Sequence, residues 1–291
     1  HTYAVPGTFQ VSISGVFPRI YHEKRYGFQN DSRKLISIDQ WGNQSWSSME
    51  VAFFGCENMD ITALDVPDLS NVYSMDNMFS YCFSLIGNDS FSNWDVSNVN
   101  SMSALFFECY LFNQNIGNWN VSNLVEGSGL FAGAKTFNQD ITNWNVSSLK
   151  HMGGMFNGAM NFNQNIGNWD VSNVTNFNNT FARTDFFNQD LSNWNVSSAI
   201  IFVGMFNEAI AFNQDISNWD TSNARGMEYM FDGATSFNQD ISSWDVGLVT
   251  SMQNMFAYTT DFNQNISNWD VSSVSQMSGM FRQAKAFDQP I

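Results

Sequence analysis

The sequence is poor in basic residues and in the side chains that most active sites need. It carries 11 Lys and Arg against 27 Asp and Glu, a formal net charge of −16, so its surface repels the phosphates of nucleic acids and anionic membranes. None of its three histidines has a Ser or Cys partner at a meaningful spacing, and no phosphate- or dinucleotide-binding motif is present. No apolar run approaches the ~18 residues of a membrane-spanning helix. These absences predict a protein that is not an enzyme, does not bind nucleic acid and does not insert into a membrane.

What the sequence has instead is a repeat. The phrase at 237–246, Phe-Asn-Gln-Asp-Ile-Ser-Ser-Trp-Asp-Val, returns with small changes along most of the chain, and its tryptophan recurs every 25 residues. The strictly spaced tryptophans are Trp94, Trp119, Trp144, Trp169, Trp194, Trp219, Trp244 and Trp269. Trp41 and Pro67 occupy the same column in two earlier coils of 26 and 27 residues, which gives ten coils. A period of this length predicts a solenoid, in which each coil packs only against its neighbours.

The coil that starts at Trp144 suggests how each coil is built. Its apolar residues from Val146 to Phe162 are separated by steps of three and one, and Ser147 stands where a helix N-cap belongs. This pattern predicts a helix of about ten residues after Ser147. The segment 140–146, with Trp144 and Val146 at strand spacing, predicts a short strand that stacks in parallel on its equivalents.

The ends of the chain depart from the repeat. Thr8 to Ser14 alternate apolar and polar residues after the turn signal at Pro6-Gly7, which predicts a strand. We therefore expect residues 1–37 to form a β-rich N-terminal cap and residues 38–291 to form the solenoid. Because the chain begins without Met and stops within the repeating phrase, we expect it to be a piece of a longer polypeptide, truncated at the C-terminus.

The apolar columns resemble those of the bacterial BspA-like branch of the leucine-rich repeats. Ala52-Phe53 followed by Cys56 is the closest instance, and Met155-Phe156 followed by Ala159 is a later variant. The recurring phrase, of the form Phe-Asn-Gln-Asp-Ile-Ser-Asn-Trp-Asp-Val-Ser-Asn, is similar to the 25-residue repeat of bacterial and mycoplasma surface lipoproteins of unassigned function. The resemblance implies an extracellular or cell-surface bacterial protein used for attachment, and it supplies no catalytic residues.

Together, the pattern and the resemblance predict an α/β solenoid. We expect a leucine-rich-repeat-like, right-handed coil stack with short parallel strands and short helices behind the N-terminal cap.

Two acidic rows are the candidate ligand-binding positions. One row lies four residues before the tryptophans and the other directly after them, and both alternate Asp with Asn. The candidates are Asp190, Asp215, Asp220, Asp240, Asp245 and Asp270. Asn and Asp also hold tight turns through their own backbone hydrogen bonds, and this explanation stands beside the functional one. No cofactor is required, although calcium between coils at Asp190, Asp215 and Asp240 is an alternative because hard cations prefer carboxylate oxygens.

Two other columns allow structural or functional interpretations. Cys56, Cys82 and Cys109 share one column with Ala and Thr in later coils, which predicts small buried side chains, with a disulfide between neighbouring coils as the alternative. The tryptophans predict a stacked core ladder, with an exposed aromatic ribbon for sugars as the alternative.

The expected function is a non-catalytic binding segment of a bacterial surface adhesin. We expect the polar, acidic strand-side face of a monomeric chain to engage a protein or glycan on a host or neighbouring cell. A structural stalk that separates other domains is the alternative, and variation at outward positions distinguishes the two. A local apolar patch at Phe186-Phe187 and 200–202 is a further candidate contact.

Overall fold

The computed structural model describes residues 7–22 and 31–290, and over the repeat it is a stack of coils joined by parallel bridges. The regular elements in the described residues are short. They are a 3-10 helix at Asp31–Lys34, strand β1 at Ser37–Ile38, strand β2 at Asp60–Ile61 and a 3-10 helix at Asp89–Asn93. β1 and β2 pair in parallel with Ser37 opposite Asp60 and Ile38 opposite Ile61. Later coils are joined through one bridge residue each: Ser74, Ser101, Glu126, His151, Asn176, Ile201, Gly226, Ser251 and Gln276.

We call the eight residues that start at each bridge residue the ladder segment, which is 151–158 in the coil of Trp144. Alternate N–H groups of this segment donate to carbonyls of the next coil. Gly154 N donates to Asn178 O at 2.6 Å, and Asn179 N donates to Val203 O at 2.8 Å. Because Asn178 C=O and Asn179 N–H belong to one peptide group, the hydrogen bonds continue from coil to coil through aligned peptides. Such chains of aligned peptides polarise one another, which strengthens the stack along its axis.

Two turns with a left-handed third residue bend every ladder segment. Met155 N donates to Met152 O and Ala159 N donates to Phe156 O, each closing a four-residue turn. The third residue of each turn, Gly154 or Gly158, has a φ of 65° or 73°. This is the φ that a type II turn requires. The equivalent residues of all ten coils share this left-handed conformation, including twelve that are not glycine.

The predicted helices are therefore wrong in type, and the predicted parallel strands form only in the first two coils, as β1 and β2. No α-helix is present in residues 7–22 and 31–290, and the expected helix after Ser147 is instead the bridge and paired turns of the ladder segment. In this coil Gly154 and Gly158 favour the turns, since glycine weakens a helix interior and here adopts a φ that a helix forbids. Four other coils adopt the same turns without glycine at either position, so stacking on neighbouring coils imposes the turns there. The segment 140–146, predicted as a strand, forms a turn flanked by irregular backbone.

The core consists of rows of identical side chains that stack along the axis. One row is Phe in all ten coils: Phe53, Phe79, Phe106, Phe131, Phe156, Phe181, Phe206, Phe231, Phe256 and Phe281. Neighbouring rings such as Phe131 and Phe156 lie 5.7 Å apart and nearly parallel. Each fully buried Phe contributes roughly 1.5–3 kcal/mol relative to an exposed one. Repetition of these rows in register, and not regular secondary structure, stabilises the fold.

The tryptophans form a buried ladder, as predicted. Trp119 and Trp144 stack at 6.5 Å with an interplanar angle of 3°, and Trp144 is buried. Its indole Nε1 donates to Ile116 O of the preceding coil at 3.1 Å. This hydrogen bond satisfies the only polar atom of the ring, and the exposed aromatic ribbon is not formed.

The cysteine column is also buried, and its three thiols are free. Cys82 Sγ donates to Phe53 O at 3.2 Å, and Cys109 Sγ donates to Phe79 O at 3.0 Å. Burial raises the pKa of Cys56 to about 12. A thiol with so high a pKa is a poor nucleophile and metal ligand, so this column has a packing role.

The predicted N-terminal cap is only partly described, since residues 1–6 and 23–30 lie outside the described residues. The strand expected at Thr8–Ser14 is wrong, because these residues pair with no strand in the described part of the chain. Instead Arg19 bridges Ser48 in parallel, and Phe17 and Ile20 pack against the core of the first coils. An alternating segment forms a strand only where an edge is available to pair with, and Arg19 already pairs with the first coil's edge at Ser48.

Candidate binding surface

The ladder segments present one face to solvent, which we call the ladder face. In residues 151–158 the side chains of Met152, Met155 and Phe156 are buried, whereas His151, Gly153, Gly154, Asn157 and Gly158 are exposed or half-buried. The ladder face consists of the equivalents of these five positions in every coil, of which some, such as Val51 and Gly133, are buried. Since neighbouring coils lie about 4.8 Å apart, each outward position forms a continuous row along the axis.

The outward rows vary in charge and polarity, while the inward rows are almost entirely apolar. The row of Asn157 reads Phe54, Ser80, Phe107, Ala132, Asn157, Ala182, Asn207, Asp232, Ala257 and Arg282. Five of its members are buried: Phe54, Ser80, Ala132, Ala182 and Ala257. The row next to it, which points inward, is Phe in every coil. Packing fixes the inward rows and leaves the outward rows free to take apolar, acidic, basic or amide side chains.

The six candidate aspartates lie in the two acidic rows, where each begins a turn. In the first row, Asp190 Oδ1 accepts from Ser192 N at 2.8 Å, and Asp215 and Asp240 make the same bond two residues on. In the second row, Asp220 Oδ1 accepts from Ser222 N at 3.1 Å. Asp245 and Asp270 bond Gly247 and Ser272 in the same way. Asn makes the same bond in other coils, which supports the turn interpretation.

Hydrogen bonding lowers the pKa of several of these carboxyls. The Ser192 backbone N–H lowers the pKa of Asp190. The hydroxyls of Ser222, Ser242 and Ser272 lower those of Asp220, Asp240 and Asp270. All six carboxylates are exposed on the surface. The structure therefore places them in two rows of exposed carboxyl groups, each with an oxygen engaged in a turn.

The predicted calcium positions follow one another in consecutive coils of the first row. In the described part of the chain no group of three or more His, Cys, Asp and Glu side chains is arranged to hold a metal ion. Calcium at Asp190, Asp215 and Asp240 stays a prediction.

An asparagine ladder went unpredicted. Asn188 Oδ1 accepts from Asn213 N at 2.9 Å and from Gln214 Nε2 at 2.9 Å, and Asn188 N donates to Asn163 Oδ1 at 3.0 Å. The row runs through Asn113, Asn138, Asn163, Asn188, Asn213, Asn238, Asn263 and Asp288. The invariance of the Phe-Asn-Gln phrase was the signal that could have revealed it, because turn chemistry alone does not require the same amide in every coil.

Charged side chains occupy the ladder face in the later coils. Arg183 Nε lies 3.2 Å from Glu208 Oε2, and the Arg282 guanidinium lies 5.5 Å from the ring centroid of Tyr258. Between them, burial and the nearby Glu208 raise the pKa of Asp232 to about 6. Asp232 thus gains or loses its charge in a mildly acidic medium, whereas the pKa values of Asp190 and Asp240 are lowered.

Aromatic side chains occupy the same face in the early coils. Tyr81 meets Phe54 and Phe107 edge to face, at 5.4 and 5.2 Å between ring centroids. Phe83 and Tyr110 stack at 5.0 Å just beyond the end of the ladder segments. A hydrogen bond to Glu108 raises the pKa of Tyr110 to about 12.

The apolar patch predicted at 186–187 and 200–202 is not formed as expected. Phe187 and Phe202 are fully buried core residues. Phe186 and Ile200 are exposed, but Phe186 follows the end of one ladder segment and Ile200 precedes the start of the next. Phe186 and Ile200 therefore lie at opposite ends of the ladder segments, with the length of one segment between them.

The fold defines the class of protein as a repeat solenoid, and the sequence comparison gives the family. The pattern of the family described as "Mycoplasma protein of unknown function, DUF285" matches residues 47–166, 139–240 and 215–291. These ranges together cover most of the chain, which therefore belongs to this family. No curated protein matches the sequence.

Among solved structures, an internalin (inlF) from Listeria monocytogenes shows a weak similarity. Its sequence is 7% identical, with 89% of this chain and 87% of that chain covered, at a TM-score of 0.20. A similarity at this level carries no argument about the fold or the function. Within the described residues no helix has the length and hydrophobicity to cross a bilayer.

Proposed function

We propose that this chain is a non-catalytic binding segment of a bacterial cell-surface adhesin that engages a protein or glycan. The observation that carries the proposal is the variation in charge and polarity of the outward rows beside inward rows that stay almost entirely apolar. A spacer needs only a soluble surface, whereas a specific binder needs different side chains at different places along the stack. The BspA-like resemblance of the repeat supports a place outside the cell or on its surface.

The ladder face is the better supported binding face, and the acidic rows are the second candidate. The acidic rows alternate only Asp with Asn and supply an oxygen to a turn in each coil, so they offer little variety. The ladder face presents Tyr229, Asp232, Tyr258 and Arg282 within three consecutive coils. The formal charge of −16 further favours a partner that is not acidic.

The test is binding of the chain, as a monomer, to arrays of host proteins and glycans. A ladder-face variant with Tyr229→Ser, Asp232→Ser and Tyr258→Ser is compared with an acidic-row variant with Asp190→Asn, Asp215→Asn and Asp240→Asn. Asn keeps the turns, so the second variant removes charge without removing structure. We expect the ladder-face variant to lose binding. Loss in the acidic-row variant alone would move the site to those carboxylates.

Calcium is tested separately by calorimetric melting with the metal and with a chelator. Binding to the native state would raise the midpoint in proportion to the free metal concentration. An unchanged melting midpoint would show that the folded chain does not bind calcium.

A spacer role is the second candidate, and the continuous peptide columns favour it. Hydrogen bonds through aligned peptides of every coil make an axially continuous stack, which suits a stalk. If the folded wild-type chain binds to none of the arrays, the spacer role is the one that remains.

A further inference from the structure

One edge of the stack, just after the ladder segments, carries large apolar side chains in five of the first seven coils and none in the last three. The first coil has Glu57 and Asn58 there, and the fourth has Lys135 and Thr136. The edge consists of the second and third residues after each ladder segment, such as Met160 and Asn161. Backbone bonds join it from coil to coil: Asn161 N donates to Lys135 O at 3.2 Å and Phe186 N donates to Met160 O at 3.4 Å. We call its apolar members the apolar edge: Phe83, Tyr110, Leu111, Met160, Phe186 and Ile210.

The fold does not require apolar side chains at these positions. Phe186 is 61% exposed, Leu111 47%, Ile210 46% and Met160 38%, so they add little to the core. The same two rows in the later coils hold small, polar or charged residues: Thr235, Ser236, Thr260, Asp261, Lys285 and Ala286. The later coils thus act as an internal control, and they fold with the same backbone bonds, since Asp261 N donates to Thr235 O at 3.2 Å.

We propose that the apolar edge is a docking site for a basic polypeptide segment with aliphatic or aromatic anchor residues. Phe, Tyr and Met are the residue types enriched where proteins bind proteins. The negative charge of the chain predicts a positively charged partner. Residues 35–291 hold 6 Lys and Arg against 25 Asp and Glu, a formal net charge of 6 − 25 = −19. Asp185 lies within the edge rows and Glu108 beside Tyr110, where they would meet lysine or arginine of the partner.

A sugar fits the apolar edge less well than a peptide does. Saccharides pack on open faces of aromatic rings, but Phe83 and Tyr110 are stacked face to face at 5.0 Å with an interplanar angle of 14°. Lys135 Nζ lies 4.0 Å from the Tyr110 ring centroid. These rings therefore present mainly their edges, which suit aliphatic side chains.

The inference rests on the proposed binding function, and its test is panning of a displayed library of random 12-residue peptides against the whole chain. We expect enriched peptides that combine Lys or Arg with Leu, Phe or Trp. Synthetic copies should bind less tightly in high salt, since the charged part of the attraction is screened. Their affinity for the triple variant Leu111→Ser, Phe186→Ser, Ile210→Ser should fall by roughly tenfold or more.

The matched control is Ala211→Ser, Thr235→Ser and Ala286→Ser, which changes the same two rows mostly in the polar coils and should leave affinity unchanged. Both variants should keep a cooperative urea transition because the altered side chains lie outside the fully buried core. No enriched peptide, enrichment of acidic peptides, or equal binding to the edge variant would each overturn the proposal. Glycan binding that disappears in the edge variant would also overturn it, in favour of a sugar ligand. Binding to the arrays that is lost in the ladder-face variant but kept in the edge variant would contradict this inference. It would still support the proposed binding function.

Discussion

At the scale of single residues, the left-handed positions show how strongly the backbone constrains this sequence. An L-residue in this region costs about 1–2 kcal/mol relative to glycine. The coils nevertheless place Tyr81, Glu108, Arg183 and Glu208 there, with φ between 56° and 63°. All four are on the ladder face, so the chain accepts backbone strain where it gains a chemically distinct outward side chain.

Gly158→Ala and Gly153→Ala form a matched pair within one coil. A Cβ at Gly158 would lie 3.7 Å from Gly133 Cα, which is an ordinary van der Waals contact. Any loss of stability would therefore come from the φ of 73° alone. We expect Gly158→Ala to lower the free energy of unfolding by about 1–2 kcal/mol. Gly153 has no positive φ and its nearest atom would be 3.5 Å away, so Gly153→Ala should be neutral or stabilising by up to about 1 kcal/mol. Urea unfolding measures both, and equal effects would contradict the turn assignment.

Asp232 should make stability depend on pH in a mildly acidic window. Its pKa is raised from 3.8 to about 6, chiefly by burial and then by Glu208, with Arg282 opposing. The folded chain therefore holds the proton more tightly than the unfolded chain, and stability from this residue falls as pH rises from about 4 to 6. Asp232→Asn should raise stability at pH 7.5 by about 1 kcal/mol, discounted for the partial exposure of the group, and change little at pH 4.

The control for this prediction is Asp240→Asn. Hydrogen bonds from Ser242 lower the pKa of Asp240, so Asp240 loses its charge at a lower pH than Asp232 does. Thermal melts of the two variants across this range should differ in slope. If the melting temperature of Asp232→Asn changes with pH as steeply as that of the wild-type chain, the pH dependence arises from other groups.

At the scale of the element, the sequence predicted which residues are buried better than it predicted their conformation. The rows of Trp144, Met152 and Phe156 were predicted as core because apolar periodicity reports burial directly. Steps of three residues occur both on a helix face and in consecutive tight turns, so periodicity alone could not distinguish them. The glycines at 154 and 158 carried the missing information, which is a φ requirement and not a hydrophobic one.

The asparagine ladder gives an element-scale prediction. Asn188→Ala removes the acceptor of Asn213 N–H and Gln214 Nε2, and a partly buried donor left without a partner costs about 1–3 kcal/mol. Asn188→Asp keeps an acceptor oxygen at the same place and should cost much less. Hydrogen exchange at the Asn213 amide, with urea unfolding, measures both effects. Equal protection of the Asn213 amide from exchange in the two variants would show that the side-chain oxygen of residue 188 does not stabilise the contact between coils.

At the scale of the whole molecule, the solenoid and its ten coils were predictable, while the binding surface was predictable only in part. The acidic rows were found because composition marks them, and the structure places them in turns. The apolar edge was missed because Met160, Phe186 and Ile210 are separated in sequence and meet only when coils stack. The predicted patch at Phe186 and Ile200 failed for the same reason, since nearness in sequence is not nearness across a coil.

Stacking in register predicts that a whole coil can be removed but a fraction of one cannot. Deletion of 194–218 joins Asn193 to Trp219 and so restores the Asn-Trp pair that begins each coil. Every buried row then continues unbroken, and the urea m-value should fall by roughly a tenth because one coil in ten no longer unfolds. Deletion of 194–205 instead joins Asn193 to Phe206, which puts the Phe of one row in the place of another row's Trp. That chain should lose cooperative unfolding, since no neighbour presents a matching row to each displaced side chain. Comparable m-values and midpoints for the two deletions would mean that register along the stack does not govern the fold.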